Sequence, residues 1–117
     1  MPEFHDRFLA GDVRGTLVLL APDAIFHSPA SDFEGHDRIA RVFAALTHVI
    51  SDAQVTGVWR GDRDTAVAFS ARIDGRQVDG MLRVIEGDHG TVTDVTLLLR
   101  PLDALLAGVE RMKALLR

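Results

Sequence analysis

The sequence holds no cysteine. Disulfides and thiolate metal sites are therefore excluded, and the absence agrees with a reducing compartment. A basic tract is missing too. Thirteen Lys and Arg are interleaved with 17 Asp and Glu, for a net charge of −4. The electrostatic footprint of a nucleic-acid binder is absent, so no nucleic-acid partner is expected. Long apolar runs are also lacking. The run "TLVLLAP", Thr16 to Pro22, is far too short to span a bilayer, and no membrane partner is expected. The opening "MPEFHDRFLAGD" carries no apolar signal-peptide core, so the expected location is cytoplasmic. No repeat, low-complexity segment or linker interrupts the chain. Its five histidines form no H-E-x-x-H pattern, so no metal or other cofactor is expected.

What is present suits a soluble globular fold. The 117 residues are 47% hydrophobic and 26% charged, and they read as a single domain, 1–117. Phe4, Phe8 and Leu9 recur at helical spacing, and Gly11 ends that short helix. Asp12 suits the N-cap of a second helix carrying Leu17, Val18 and Leu20, stopped by Pro22. "AIFHS", Ala24 to Ser28, alternates like a strand and ends at Pro29; a loop follows. Gly35 opens a third helix with a stripe of Ile39, Val42, Phe43, Leu46 and Ile50.

Strands dominate the second half: Gln54–Arg60, Thr65–Ile73, Arg76–Glu86 and Thr91–Leu99. Asp74-Gly75 is a two-residue hairpin signal. It pairs Ile73 with Arg76, and by counting Ala71 with Val78, Phe69 with Gly80 and Val67 with Leu82. Opposed residues share a face. Val67, Phe69, Ala71, Val78, Leu82 and Val84 thus form the apolar face, with Ser70, Asp79 and Arg83 behind it. Val92 and Val95 are both core-like but three apart, so a β-bulge is expected near Asp94. Pro101 suits a first helical position, and Leu102, Leu105, Leu106, Val109, Met112 and Leu116 give the last helix an apolar face. The fold class is α+β: a cone-like curved antiparallel sheet wrapped on N-terminal helices, plus a C-terminal helix.

Four stretches carry a resemblance: "AGDVRGTLVLLAPDAIFHSP", "FEGHDRIARVFAAL", "IDGRQVDGMLRVIEGDHGTVTDVTLLL" and "RPLDALLAGVERM". Together they resemble the nuclear-transport-factor-2-like superfamily, and within it the SnoaL-like branch. The likeness covers nearly the whole chain. It implies the fold and leaves the function open, because this fold hosts isomerases, cyclases, hydrolases and plain binders.

The ketosteroid isomerases of this fold need a base aspartate, a tyrosine and a protonated aspartate. Aligned on the resemblance, those positions fall on Ser28, Phe4 and Leu82. The Asp-Arg-Asp set implied by limonene epoxide hydrolases is missing as well, with Leu97 near one aspartate position. SnoaL-type cyclases use an acidic or histidine acid/base, for which only His27 offers itself.

His27 and Ser28 are therefore the candidate catalytic residues, and adjacent strand positions face opposite ways. His27 reads either as a hydrogen-bonded histidine between helix and sheet or as a proton shuttle. Ser28 reads as a pocket-lining hydroxyl, a turn residue or a nucleophile. The expected ligand-binding walls are Phe4, Phe8, Phe26, Phe43, Val67, Phe69, Leu82, Val95, Leu97 and Leu99, an apolar cavity with Ser28 at its mouth. Such a cavity suits a small hydrophobic molecule. Trp59 is either a wall or interface residue, or one that stacks on a ligand. Thr56, Val58, Ala66, Ala68, Met81, Thr96 and Leu98 are expected on the other face of the sheet, too apolar for water, which points to a homodimer. The alternatives are an enzyme of cyclase, isomerase or hydrolase type using His27 or Ser28, and a dimeric interaction module.

Overall fold

A computed structural model describes residues 3–117. Along the chain run α1 (Phe4–Leu9), α2 (Val13–Leu19), β1 (Leu20–His27), β2 (Asp32–Glu34) and α3 (His36–Leu46). Then come β3 (Ile50–Arg60), β4 (Asp64–Ile73), β5 (Arg76–Glu86), β6 (Val92–Arg100) and α4 (Leu102–Leu115). Six strands form one sheet in the order β2-β1-β6-β5-β4-β3. The helices cover its inner face.

The hairpin arithmetic holds. Ile73 pairs with Arg76, Phe69 with Gly80 and Val67 with Leu82. Asp74 and Gly75 both take positive φ, 51° and 74°, as a tight primed turn requires. Val67, Phe69, Ala71, Val78, Leu82 and Val84 are all buried, and Asp79 points outward to Arg100. Gly80 is needed at its place: a Cβ there would run into the Phe69 ring lying across it. Near Asp94, the β5–β6 register slips between Ile85–Asp94 and Glu86–Val92, leaving Thr93 as the extra residue of the expected bulge.

Five expectations need correction. The sheet is mixed, because β1 runs parallel to β6. β1 starts at Leu20, so Leu20 belongs to the strand rather than to α2, while Val18 is 77% exposed. The loop after Pro29 contains β2, whose three residues pair with β1 through Ile25–Glu34, Phe26–Phe33 and His27–Asp32. Ile50 opens β3 instead of closing the stripe of α3. Val58 pairs with Val67 and so shares the inner face, not the outer; register breaks at Ser51/Gln54 and Val55/Gly57 shift the parity of β3.

Helix ends tie the layers together. Asp12 accepts the Gly15 N–H at 2.9 Å and caps α2. His36 is half-buried and sits 3.0 and 3.1 Å from the Leu20 and Ala21 carbonyls, pinning α3 to the start of β1. Arg60 grips Glu3 with two bonds, 2.6 and 2.9 Å, which join β3 to the first turn of the chain. On the outer face Gly57 has a further use. A side chain there would lie 2.7 Å from the Trp59 ring, which folds flat over the bare backbone.

Candidate ligand site

Five phenylalanines meet under the sheet. Phe43 stands edge-on to Phe26 at 5.0 Å and to Phe8 at 5.1 Å, and Phe4 lies 6.2 Å from Phe43. Phe33, from the strand unseen in the sequence, stacks on Phe26 at 6.4 Å. Edge-to-face rings at these spacings fill space well. Phe4, Phe26, Val67, Phe69, Leu82 and Val95 are consequently solid core, with 0–4% exposure. The apolar space opens beyond them, nearer the C-terminal helix.

That cavity holds about 300 Å³. α4 supplies Leu105, Val109 and Met112, and Leu116 follows at its C-terminal cap; β6 supplies Leu97 and Leu99; α3 and the turn after it supply Val42, Leu46 and Val49. Gly108 closes the helix onto the sheet, since a Cβ there would sit 3.2 Å from Ile73 Cδ1. Of the sequence-predicted walls, Leu97 and Leu99 line this space. Phe8 and Phe43 instead line a second cavity of about 370 Å³ beside the α1–α2 turn, where Asp12, Asp52, Thr16 and Ser51 make the lining mixed. The sequence reading had the apolar stripe of α4 but did not set it on a pocket. Within that stripe Leu102 and Leu106 are 68% and 54% exposed, so its inward edge is narrower than expected.

Ser28, one residue past the end of β1, lines the apolar cavity. Its hydroxyl builds the β1–β2 turn. It donates to the Ser31 carbonyl at 2.7 Å and accepts from the N–H groups of Ser31 at 3.0 Å and Ala30 at 3.3 Å. The proton and both lone pairs are thus engaged. Its hydrogen-bond partners are all backbone groups of its own turn, so the arrangement is that of a turn serine rather than a nucleophile activated by an imidazole.

His27 points the other way. Its Nδ1 lies 3.0 Å from Asp32 and its Nε2 3.1 Å from Asp94. A neutral imidazole donates from one nitrogen only, whereas the protonated ring satisfies both carboxylates. Asp94 first, then Asp32, hold the His27 pKa above the ordinary histidine range, against a smaller opposing effect of burial. The cluster ties β2, β1 and β6 together on the outer face. Asp32 and Asp94 are the partners that sequence reasoning missed. The bulge puts Asp94 in place, and no local pattern announces that.

A pH dependence follows. The folded pKa is raised, so the stabilisation is complete below the unfolded value of about 6.5 and fades as pH climbs through the folded pKa. The urea midpoint of the wild type is expected to fall between about pH 6 and pH 9 more steeply than that of His27→Gln. Parallel curves for the two proteins across that range would refute the assignment. His27 is about a third exposed, so the difference is modest.

Among the described residues no group of three or more acidic and histidine side chains is placed to hold a metal ion, and no helix is long and apolar enough to cross a membrane. No curated protein matches the chain. Solved structures do. A steroid delta-isomerase from Pseudomonas aeruginosa is 26% identical, with a TM-score of 0.86 over 95% of this chain and 84% of the other. An uncharacterised protein of cystatin-like fold from Silicibacter pomeroyi is 22% identical, with a TM-score of 0.87 over 97% and 85%. A hypothetical protein of ketosteroid-isomerase-like fold from Catenulispora acidiphila, in complex with trimethylamine, is 16% identical, with a TM-score of 0.69 over 92% of both chains. The SnoaL-like domain matches residues 2–111, and with that span the chain belongs to the SnoaL-like family of the ketosteroid-isomerase-like fold.

Proposed function

We propose that this SnoaL-like protein binds a small hydrophobic molecule in the cavity between α3, α4 and β6. One observation carries the reading: a space of about 300 Å³ walled mostly by apolar side chains, with Ser28, Ser31 and Lys113 as the polar side chains of its lining. Apolar space of that size attracts apolar ligands and gives no foothold to polar ones. A neutral fluorescent probe such as N-phenyl-1-naphthylamine tests it. Wild-type protein should bind it and brighten its emission. Leu99→Trp, which fills the space, should weaken binding at least tenfold while far-UV dichroism stays unchanged. No binding by the wild type, or equal binding by Leu99→Trp, would remove the proposal.

The same protein is proposed to work as a homodimer paired through the outer face of the sheet. Trp59 and Leu98 are each 58% exposed there, and Met81 is 37% exposed. Ion pairs flank this apolar centre: Arg83–Asp64 at 2.9 Å and Arg100–Asp79 at 3.4 Å. An apolar patch of this kind matches a self-complementary two-fold contact. Light scattering at micromolar concentration should give twice the 12.8 kDa of one chain. Leu98→Asp should return it to the monomer mass. A wild-type monomer would defeat the assignment.

A further inference from the structure

We infer that the ligand of the apolar cavity is an anionic amphiphile, an apolar body carrying one carboxylate that meets Lys113 at the mouth. This rests on the cavity reading above and adds the ligand's charge and orientation to it. The support is the distribution of polar atoms around the space. The deep walls are aliphatic, so a polar end buried there would lose its water without compensation. The polar end is therefore left at the mouth. Ser28 also lies there, but its hydroxyl is consumed within its own turn. Lys113 is the one charged side chain in the lining. Its ammonium makes one long contact, 3.4 Å to Glu110, and is 64% exposed, so two of its three donor directions stay available. The geometry of α4 suits the task. Lys113 follows Met112 and Val109, which line the wall, so its aliphatic stem continues the apolar surface while its head reaches water. A hydrophobic chain seated against Leu97 and Leu99 would bring its head group toward that ammonium.

An exposed ion pair gives a small preference, so the expected effect is modest and measurable. Octanoate and 1-octanol are matched in body and differ in head charge. Both are titrated against bound N-phenyl-1-naphthylamine at low ionic strength and at 0.5 M salt. Octanoate should displace the probe roughly two- to fivefold more readily than octanol at low salt. The margin should shrink at high salt. In Lys113→Met, which keeps the apolar stem, it should vanish; in Lys113→Arg it should persist. If both compounds displace the probe equally well in the wild type, the anionic ligand is refuted while the apolar cavity stands. A preference that survives Lys113→Met places the anchor elsewhere and also overturns this inference. If neither compound displaces the probe and the probe itself fails to bind, the reading of the cavity as a ligand site falls.

Discussion

Isomerisation of a β,γ-unsaturated ketosteroid by this chain is expected to stay at the level of the buffer control, although a steroid delta-isomerase is among its structural relatives. The reaction needs a base to take a proton next to the ketone and acidic donors to hold the resulting enolate. The positions that the family resemblance gives to those groups hold Ser28, Phe4 and Leu82. The Ser28 hydroxyl is held as a hydrogen-bond donor to the Ser31 carbonyl, and a neutral alcohol is no base for this step. Phe4 is 4% exposed and packs against Phe43; the chain has no tyrosine anywhere. Leu82 is fully buried and paired across the sheet with Val67 and Leu97. Losing one such donor or base costs about a hundred- to a thousandfold, and three are absent together. Appearance of the conjugated enone, followed by absorbance, measures the reaction. Turnover a thousandfold above control would show that another group supplies the chemistry. Reintroducing the set is demanding. An aspartate at position 82 would have to remain protonated, because nothing there compensates a buried charge.

Phe26→Ala is expected to lower the free energy of unfolding by about 3–5 kcal/mol. Phe26 is 0% exposed and touches three other rings, Phe8, Phe33 and Phe43, at centroid distances of 6.4, 6.4 and 5.0 Å. Truncation removes the contacts of a whole ring and leaves a hole bounded by a strand and a helix that cannot both close in. A domain of this size is stable by only about 5–15 kcal/mol, so the variant keeps a small margin. Urea denaturation reads the loss directly. Phe26→Leu, which retains most of the volume, should cost far less, and a similar loss for both would argue against cavity formation as the cause. A loss under about 1 kcal/mol for Phe26→Ala would mean that the ring cluster closes up freely.

How much of this was legible varies by element. The meander from β4 to β6 was readable because Asp74-Gly75 fixes a register, and one fixed register assigns every side chain to a face. β2 was not, since "DFE" is three residues long with charges at both ends, and its strand character comes from pairing with β1. The parallel partnership of β1 and β6 was hidden because alternation tells a strand its faces, not its neighbour's direction. The early start of β1 was masked by Pro22, which stands exposed within the strand. At the site, alternation set His27 and Ser28 on opposite sides of the strand without saying which side holds the cavity. The carboxylates around His27 came from positions 32 and 94, and no local rule connects them. The cavity moved for a different reason. Apolar stripes say which residues avoid water, whereas empty space depends on how rings settle against each other. Here the phenylalanines filled the expected volume and left the vacancy beside α4.

His27 and Ser28 are neighbours in sequence, yet the sheet acts as a partition between them. One side is a container with no ionisable group in its depths. The other carries an imidazole braced by two carboxylates. A molecule held inside the container cannot exchange a proton with that imidazole, because a layer of hydrogen-bonded backbone separates them. The two candidate catalytic residues therefore serve two compartments, and a molecule that meets His27 approaches from the outer face.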